Sequence, residues 1–131
     1  MQTPDEYLAY IKSLLISAPN IANFSIIREE TQGSIGLYRY KVAFDDGNLL
    51  EMFERFEVRS DGKIHVTKYS FHWQNAKGIL RKRWDNAAHH PEVSTYPHHV
   101  HDGSEENVLP HKPIMAADCL NIISEEHLKN L

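Results

Sequence analysis

The sequence predicts a single α+β domain: an N-terminal helix, a roughly five-stranded antiparallel meander, a long histidine-rich loop and a C-terminal helix. Three observations carry that expectation. Apolar residues recur at helical spacing only near the two ends. Between the ends the period falls to two, and the runs are punctuated by glycine-bearing turns. From Asn86 to Lys112 there is no periodicity at all. At 131 residues the chain fits one domain that can bury a core without disulfides, so one domain over 1–131 is expected.

The first helix starts at Thr3-Pro4-Asp5-Glu6, where an N-cap hydroxyl, a proline at the first helical position and a glutamate three residues on spell a capping box. Tyr7, Leu8, Ile11, Leu14 and Leu15 follow on one stripe, and Ala18-Pro19-Asn20 ends it. Strands are expected over about 23–31, 34–44, 49–59, 63–73 and 79–85, the Asp-Gly pairs at 46–47 and 61–62 supplying hairpin turns. Tyr38, Tyr40, Val42 and Phe44 share one face opposite Arg39 and Lys41, as a half-buried strand requires. In the fourth run the apolar side switches between Val66 and Tyr69, which means a bulge or a strand buried on both faces. A second helix is expected from about Pro113 to Lys129, with Ala116, Cys119, Leu120 and Ile123 inward.

Composition narrows the function classes. With 41% hydrophobic and 24% charged residues, the chain is neither disordered nor fibrous. Its longest apolar runs fall far short of the roughly 20 residues of a membrane span. The first residues carry early acids and no basic, apolar leader, so the expected address is the cytoplasm. The lone Cys119 reads as a small core residue. A net charge of −4 gives no global attraction to nucleic acid, so any such partner needs a local basic patch.

Six of the nine histidines (His89, His90, His98, His99, His101 and His111) fall within 23 residues of the irregular segment. Imidazole titrates near neutrality, so a cluster offers either an acid–base pair or metal ligands. Arg81, Lys82 and Arg83 stand just before it, a plausible surface for phosphate. Asp85 is placed to orient one imidazole by accepting its N–H, and Tyr69, Trp73 and Trp84 could stack bases of single-stranded RNA. The metal alternative rests on His99-Val100-His101: in an extended segment both rings project to one face and can share a divalent transition metal, with His89, His90 or Asp102 as third ligand. His65, His72 and His127 read as structural.

Three linked motifs, Tyr69-Ser70-Phe71-His72-Trp73-Gln74, Arg83-Trp84-Asp85-Asn86-Ala87-Ala88-His89-His90-Pro91 and Tyr96-Pro97-His98-His99-Val100-His101, resemble the TumE family of small bacterial and archaeal proteins. The resemblance implies the toxin half of a toxin–antitoxin pair and hence a cognate antitoxin partner, often a helix-turn-helix protein. Ala88 stands where proline is usual in that family. The resemblance implies a role more firmly than a reaction.

The leading expectation is a toxin that cleaves RNA without metal or other cofactor. In it Arg81, Lys82 and Arg83 hold phosphate, and two imidazoles from His89, His90, His98, His99 and His101 exchange protons. One rival is a non-catalytic module whose histidine loop docks a protein. Another is a metal-dependent hydrolase or nuclease using His99 and His101. The open edges of a meander also allow a homodimer.

Overall fold

Residues 3–130 are described by a computed structural model. The element order is α1 (Pro4–Ser17), β1 (Ile21–Gln32), β2 (Ile35–Phe44), β3 (Leu49–Val58), β4 (Ile64–Gln74), β5 (Leu80–Asp85), β6 (His99–Asp102), β7 (Val108–Pro110) and α2 (Ala116–Lys129). The strands lie side by side in chain order, each antiparallel to the next, in one seven-stranded sheet. The α+β class and both helices are as expected, but the meander has two more strands than the five predicted. The extra pair, β6 and β7, comes from the segment expected to be irregular. Strands of four and three residues, His-Val-His-Asp and Val-Leu-Pro, are too short to show a period, and they owe their conformation to pairing beyond β5.

Helix α1 begins where its cap predicts: Thr3 Oγ1 accepts the Glu6 amide at 3.2 Å, and Pro4 occupies the first turn. Its stripe of Tyr7, Leu8, Ile11 and Leu15 is buried, each Leu or Ile contributing about 2 kcal/mol. Helix α2 starts at Ala116, three residues later than expected. Asp118 Oδ2 accepts the Met115 amide at 2.8 Å and closes the first turn there, while Ile114 is buried in the core ahead of the helix.

In β4 the apparent switch of side is a bulge. Arg55 pairs with Lys68 and Phe56 with Val66, leaving Thr67 as the extra residue, its hydroxyl donating to the Arg55 carbonyl at 3.0 Å. Ile64, Val66, Tyr69, Phe71 and Trp73 thereby all reach the core side.

Directly paired residues share a face of the sheet, so the register defines two surfaces. Tyr40, Met52, Phe71, Trp84 and Val100 form one row facing the core. Both helices cover that side: the Tyr7 ring meets Phe56 at 4.6 Å, and Ala116, Cys119 and Ile123 join the same cluster. The adjacent rows, Lys41–Glu51–His72–Arg83–His101 and Arg39–Phe53–Ser70–Asp85–His99, face the opposite way. Among the described residues no helix is long and apolar enough to cross a membrane.

Candidate active site on the helix-free face

Two neighbouring strands build the floor of the site. Register pairs Asp85 with His99 and Arg83 with His101, so the pleat aims four side chains to the same side. His99 and His101 are buried there, at 1% and 3% exposure. Each Nδ1 meets a backbone carbonyl at 2.8 Å, that of Pro97 for His99 and that of Glu105 for His101. A carbonyl can only accept, so Nδ1 carries the hydrogen in both rings and Nε2 is left as a lone pair when the ring is neutral.

Those lone pairs converge. His99 Nε2 lies 3.1 Å from His101 Nε2 and 3.1 Å from Asp85 Oδ1. The carboxylate is held by the Ala87 amide at 3.0 Å and by Arg83 Nε at 3.2 Å. Arg83 also points Nη2 at His101 Nε2 across 3.1 Å and spans the Glu105 carboxylate with both terminal nitrogens, at 2.9 and 2.8 Å. Burial pushes the His101 imidazole toward its neutral form, and the Arg83 and His99 charges push the same way, against the Glu105 carbonyl and Asp85.

The loop between β5 and β6 adds a third ring. His90 packs edge-on to His99 and His101, with ring centres 5.0 and 5.5 Å away, and its Nδ1 contacts Glu92 Oε1 at 3.0 Å. One nitrogen from each of His90, His99 and His101 lies within 4.8 Å of the others, so among the described residues these three form a group that could hold a metal ion.

The other histidines of the segment are not part of this group. His98, one residue before β6, goes to the core side, where it stacks on Tyr69 and shares a 2.9 Å hydrogen bond with its hydroxyl; burial lowers its pKa. His111 stands edge-on to Trp84, and His89 is exposed. Asp102 pairs with Lys82, in the row that faces the core.

The basic triplet is split as well. Arg81 and Lys82 both turn toward α2, pairing with Glu126 at 3.7 and 3.5 Å, and the Arg81 guanidinium covers the Trp73 ring at 4.3 Å. A register shift between Trp73 and Gln74 brings these two consecutive side chains to the same side. Only Arg83 reaches the histidines. Tyr69, Trp73 and Trp84 are core residues, 4%, 2% and 1% exposed, and offer no ring face to a base; the stacking role expected of them is corrected to a packing role. Asp85 likewise faces the Nε2 side of the imidazoles, and the backbone carbonyls of Pro97 and Glu105 take the N–H that Asp85 was expected to accept.

Two groups outside the expected set share the face of the site. Phe53, half-buried, lies in the row of Asp85 and His99, and the Arg39 guanidinium sits 4.7 Å above its ring. The alternation of Arg39, Lys41, Phe53 and Arg55 against core residues was the available signal, since all four belong to the wet side of β2 and β3.

Comparison with known proteins agrees with the motifs. No curated protein and no solved structure matches the chain. A family model described as toxin TumE matches residues 11–127, which takes in every strand and the whole histidine cluster. That span is most of the sequence, and the chain belongs to the TumE toxin family.

Proposed function

We propose that this chain is the toxin of a toxin–antitoxin pair and that it acts by cleaving phosphodiester bonds in RNA at the Asp85–His90–His99–His101 centre. The observation that carries the reading is the Nε2 to Nε2 approach of His99 and His101 at 3.1 Å beside an oriented carboxylate. Ring nitrogens with fixed tautomers, buried beneath a loop, are the equipment for activating a nucleophile. Family membership brings the partner, a cognate antitoxin whose binding would silence the site.

Single-stranded RNA fits the helix-free face. Arg28, Arg39, Lys41, Arg55, Lys68 and Arg83 stand on it among Glu30, Glu51, Glu57, Asp85 and Glu105, with Phe53 as its aromatic. Cations spaced along the strip beside a partly exposed ring suit backbone contact plus base stacking. Arg83 is held by Glu105, whose side chain is 49% exposed, and a phosphate can take that place at the rim.

The test is incubation of purified protein with total RNA beside an Asp85→Asn variant, followed by mapping of new ends. Cleavage by the parent protein and its loss in the variant are expected. Intact RNA at every divalent-metal condition tried would overturn the nuclease reading, and binding of an antitoxin without any cleavage would favour a purely protein-docking role.

A further inference from the structure

We infer that His90, His99 and His101 form a binding site for a divalent transition metal, zinc-like in its preference for imidazole. The inference deepens the hydrolase reading and takes from it only the location of the site. Its first support is the donor set. With both Nδ1 atoms donating to carbonyls, His99 Nε2 faces two acceptors at once, His101 Nε2 and Asp85 Oδ1. With neutral rings, His99 Nε2 and Asp85 Oδ1 face each other with no hydrogen between them, because Arg83 reaches only His101 Nε2 and Asp85 Oδ2, and a cation among these atoms relieves the repulsion.

The surroundings repeat the arrangement found around bound metals. A metal-ligating histidine donates its other N–H to a carbonyl or carboxylate, which fixes the tautomer and aims the ring. All three rings do this: His90 toward Glu92 Oε1 at 3.0 Å, His99 toward Pro97 O and His101 toward Glu105 O at 2.8 Å. The spacing agrees too. Imidazole nitrogens about 2.0–2.1 Å from a tetrahedral ion stand roughly 3.3 Å apart; His99 and His101 are separated by 3.1 Å, and the three donor nitrogens lie within 4.8 Å of one another.

Charge points the same way. Counting neutral imidazoles, the site holds one guanidinium, Arg83, against the carboxylates of Asp85, Glu92 and Glu105. That excess of negative charge repels a phosphate, and a dication cancels it. Pure imidazole acid–base catalysis, by contrast, needs two rings on opposite sides of the phosphorus. His99 and His101 project from one strand to one side of it. Arg83 Nη2 touches His101 Nε2 and must yield to the metal, but both its terminal nitrogens keep the Glu105 carboxylate. Three imidazoles leave a fourth position for water, with the Asp85 carboxylate at its edge.

The full chain, untagged and stripped by chelation, is titrated with Zn²⁺ alone by calorimetry, and Co²⁺ reports coordination through its visible spectrum. One equivalent per chain, a raised Tm and a four-coordinate Co²⁺ spectrum are expected. His90→Gln, changed on a half-buried loop residue, should fold and weaken Zn²⁺ binding by at least roughly tenfold, whereas His98→Ala and His89→Ala bind as the parent does. His99→Asn should abolish binding, with circular dichroism checking its fold. Binding well below one equivalent, or unchanged affinity in His90→Gln, overturns the metal site. RNA cleavage by a chain that takes up no Zn²⁺ overturns the metal site while leaving the nuclease reading intact. Stoichiometric Zn²⁺ with intact RNA does the reverse.

Discussion

His99 and His101 meet Nε2 to Nε2 at 3.1 Å, each ring turned there by a backbone carbonyl on its far nitrogen. That relationship divides the histidines of the segment into two sets that composition alone treats alike. Alanine at His90, His99 or His101 is expected to lower RNA cleavage by about 100-fold or more. Alanine at His89, His98 or His111 should leave it within a few-fold. Initial rates on one defined RNA, measured for all six variants, check the partition. Equal losses in both sets would show that the cluster works as a diffuse patch.

Phe53 carries the second prediction. It stands in the row of Asp85 and His99 with Arg39 across its ring, on the side of the sheet free of helices. Phe53→Ala should weaken single-stranded RNA binding by about 1–3 kcal/mol and lower Tm less than a core substitution, because the ring lies on the helix-free face and is only partly buried. Trp84→Ala should do the opposite, destabilising by about 3–5 kcal/mol as a core cavity. Fluorescence anisotropy with a short oligonucleotide, read beside thermal melts, separates the two roles.

Much of this fold was legible in the sequence because its long elements are locally consistent. The Thr3 cap, the Tyr7-to-Leu15 stripe and the alternation of β2 each have one physical solution. The site was legible in composition but not in arrangement. His98 and His99 are chain neighbours, yet the pleat sends them to opposite faces, and that pleat exists only because β6 pairs with β5. Arg81 and Lys82 were drawn away from the histidines by Glu126 of α2, a partner 44 residues on from Lys82. Long-range pairing of this kind leaves no local trace. Phe53 does not stand out in the sequence for a different reason: its strand reads as an ordinary amphipathic one.

Gly36 supplies a third prediction. It pairs with Phe56 across β2 and β3, and a Cβ built there would lie 2.5 Å from Phe56 Cζ. The glycine lets the ring lie flat on the neighbouring strand while its other side meets Tyr7. Gly36→Ala should cost about 1–3 kcal/mol by overpacking. Adding Phe56→Leu should cost less in that background than in the parent, a coupling that a double-mutant cycle in urea measures.

Glu54 gives stability a pH dependence opposite in sign to that of an ion-paired acid. Its side chain is wholly buried, with Oε1 accepting from Tyr7 at 2.8 Å and Tyr38 at 2.6 Å. Burial raises its pKa from 4.5 to about 7, against the pull of both tyrosine hydroxyls and of the Ala116 amide. The folded state therefore holds a proton between those values that the unfolded state has released, so this contribution falls as pH rises from about 4.5 to about 7 and is flat outside that window. The loss is on the order of 3 kcal/mol. Glu54→Gln, which keeps an acceptor for the tyrosines, should remove it: the stability difference between parent and variant should shift in the variant's favour from pH 4.5 to 7. Urea midpoints of both proteins across that range measure the difference, and parallel curves would show that Glu54 titrates as an ordinary carboxylate.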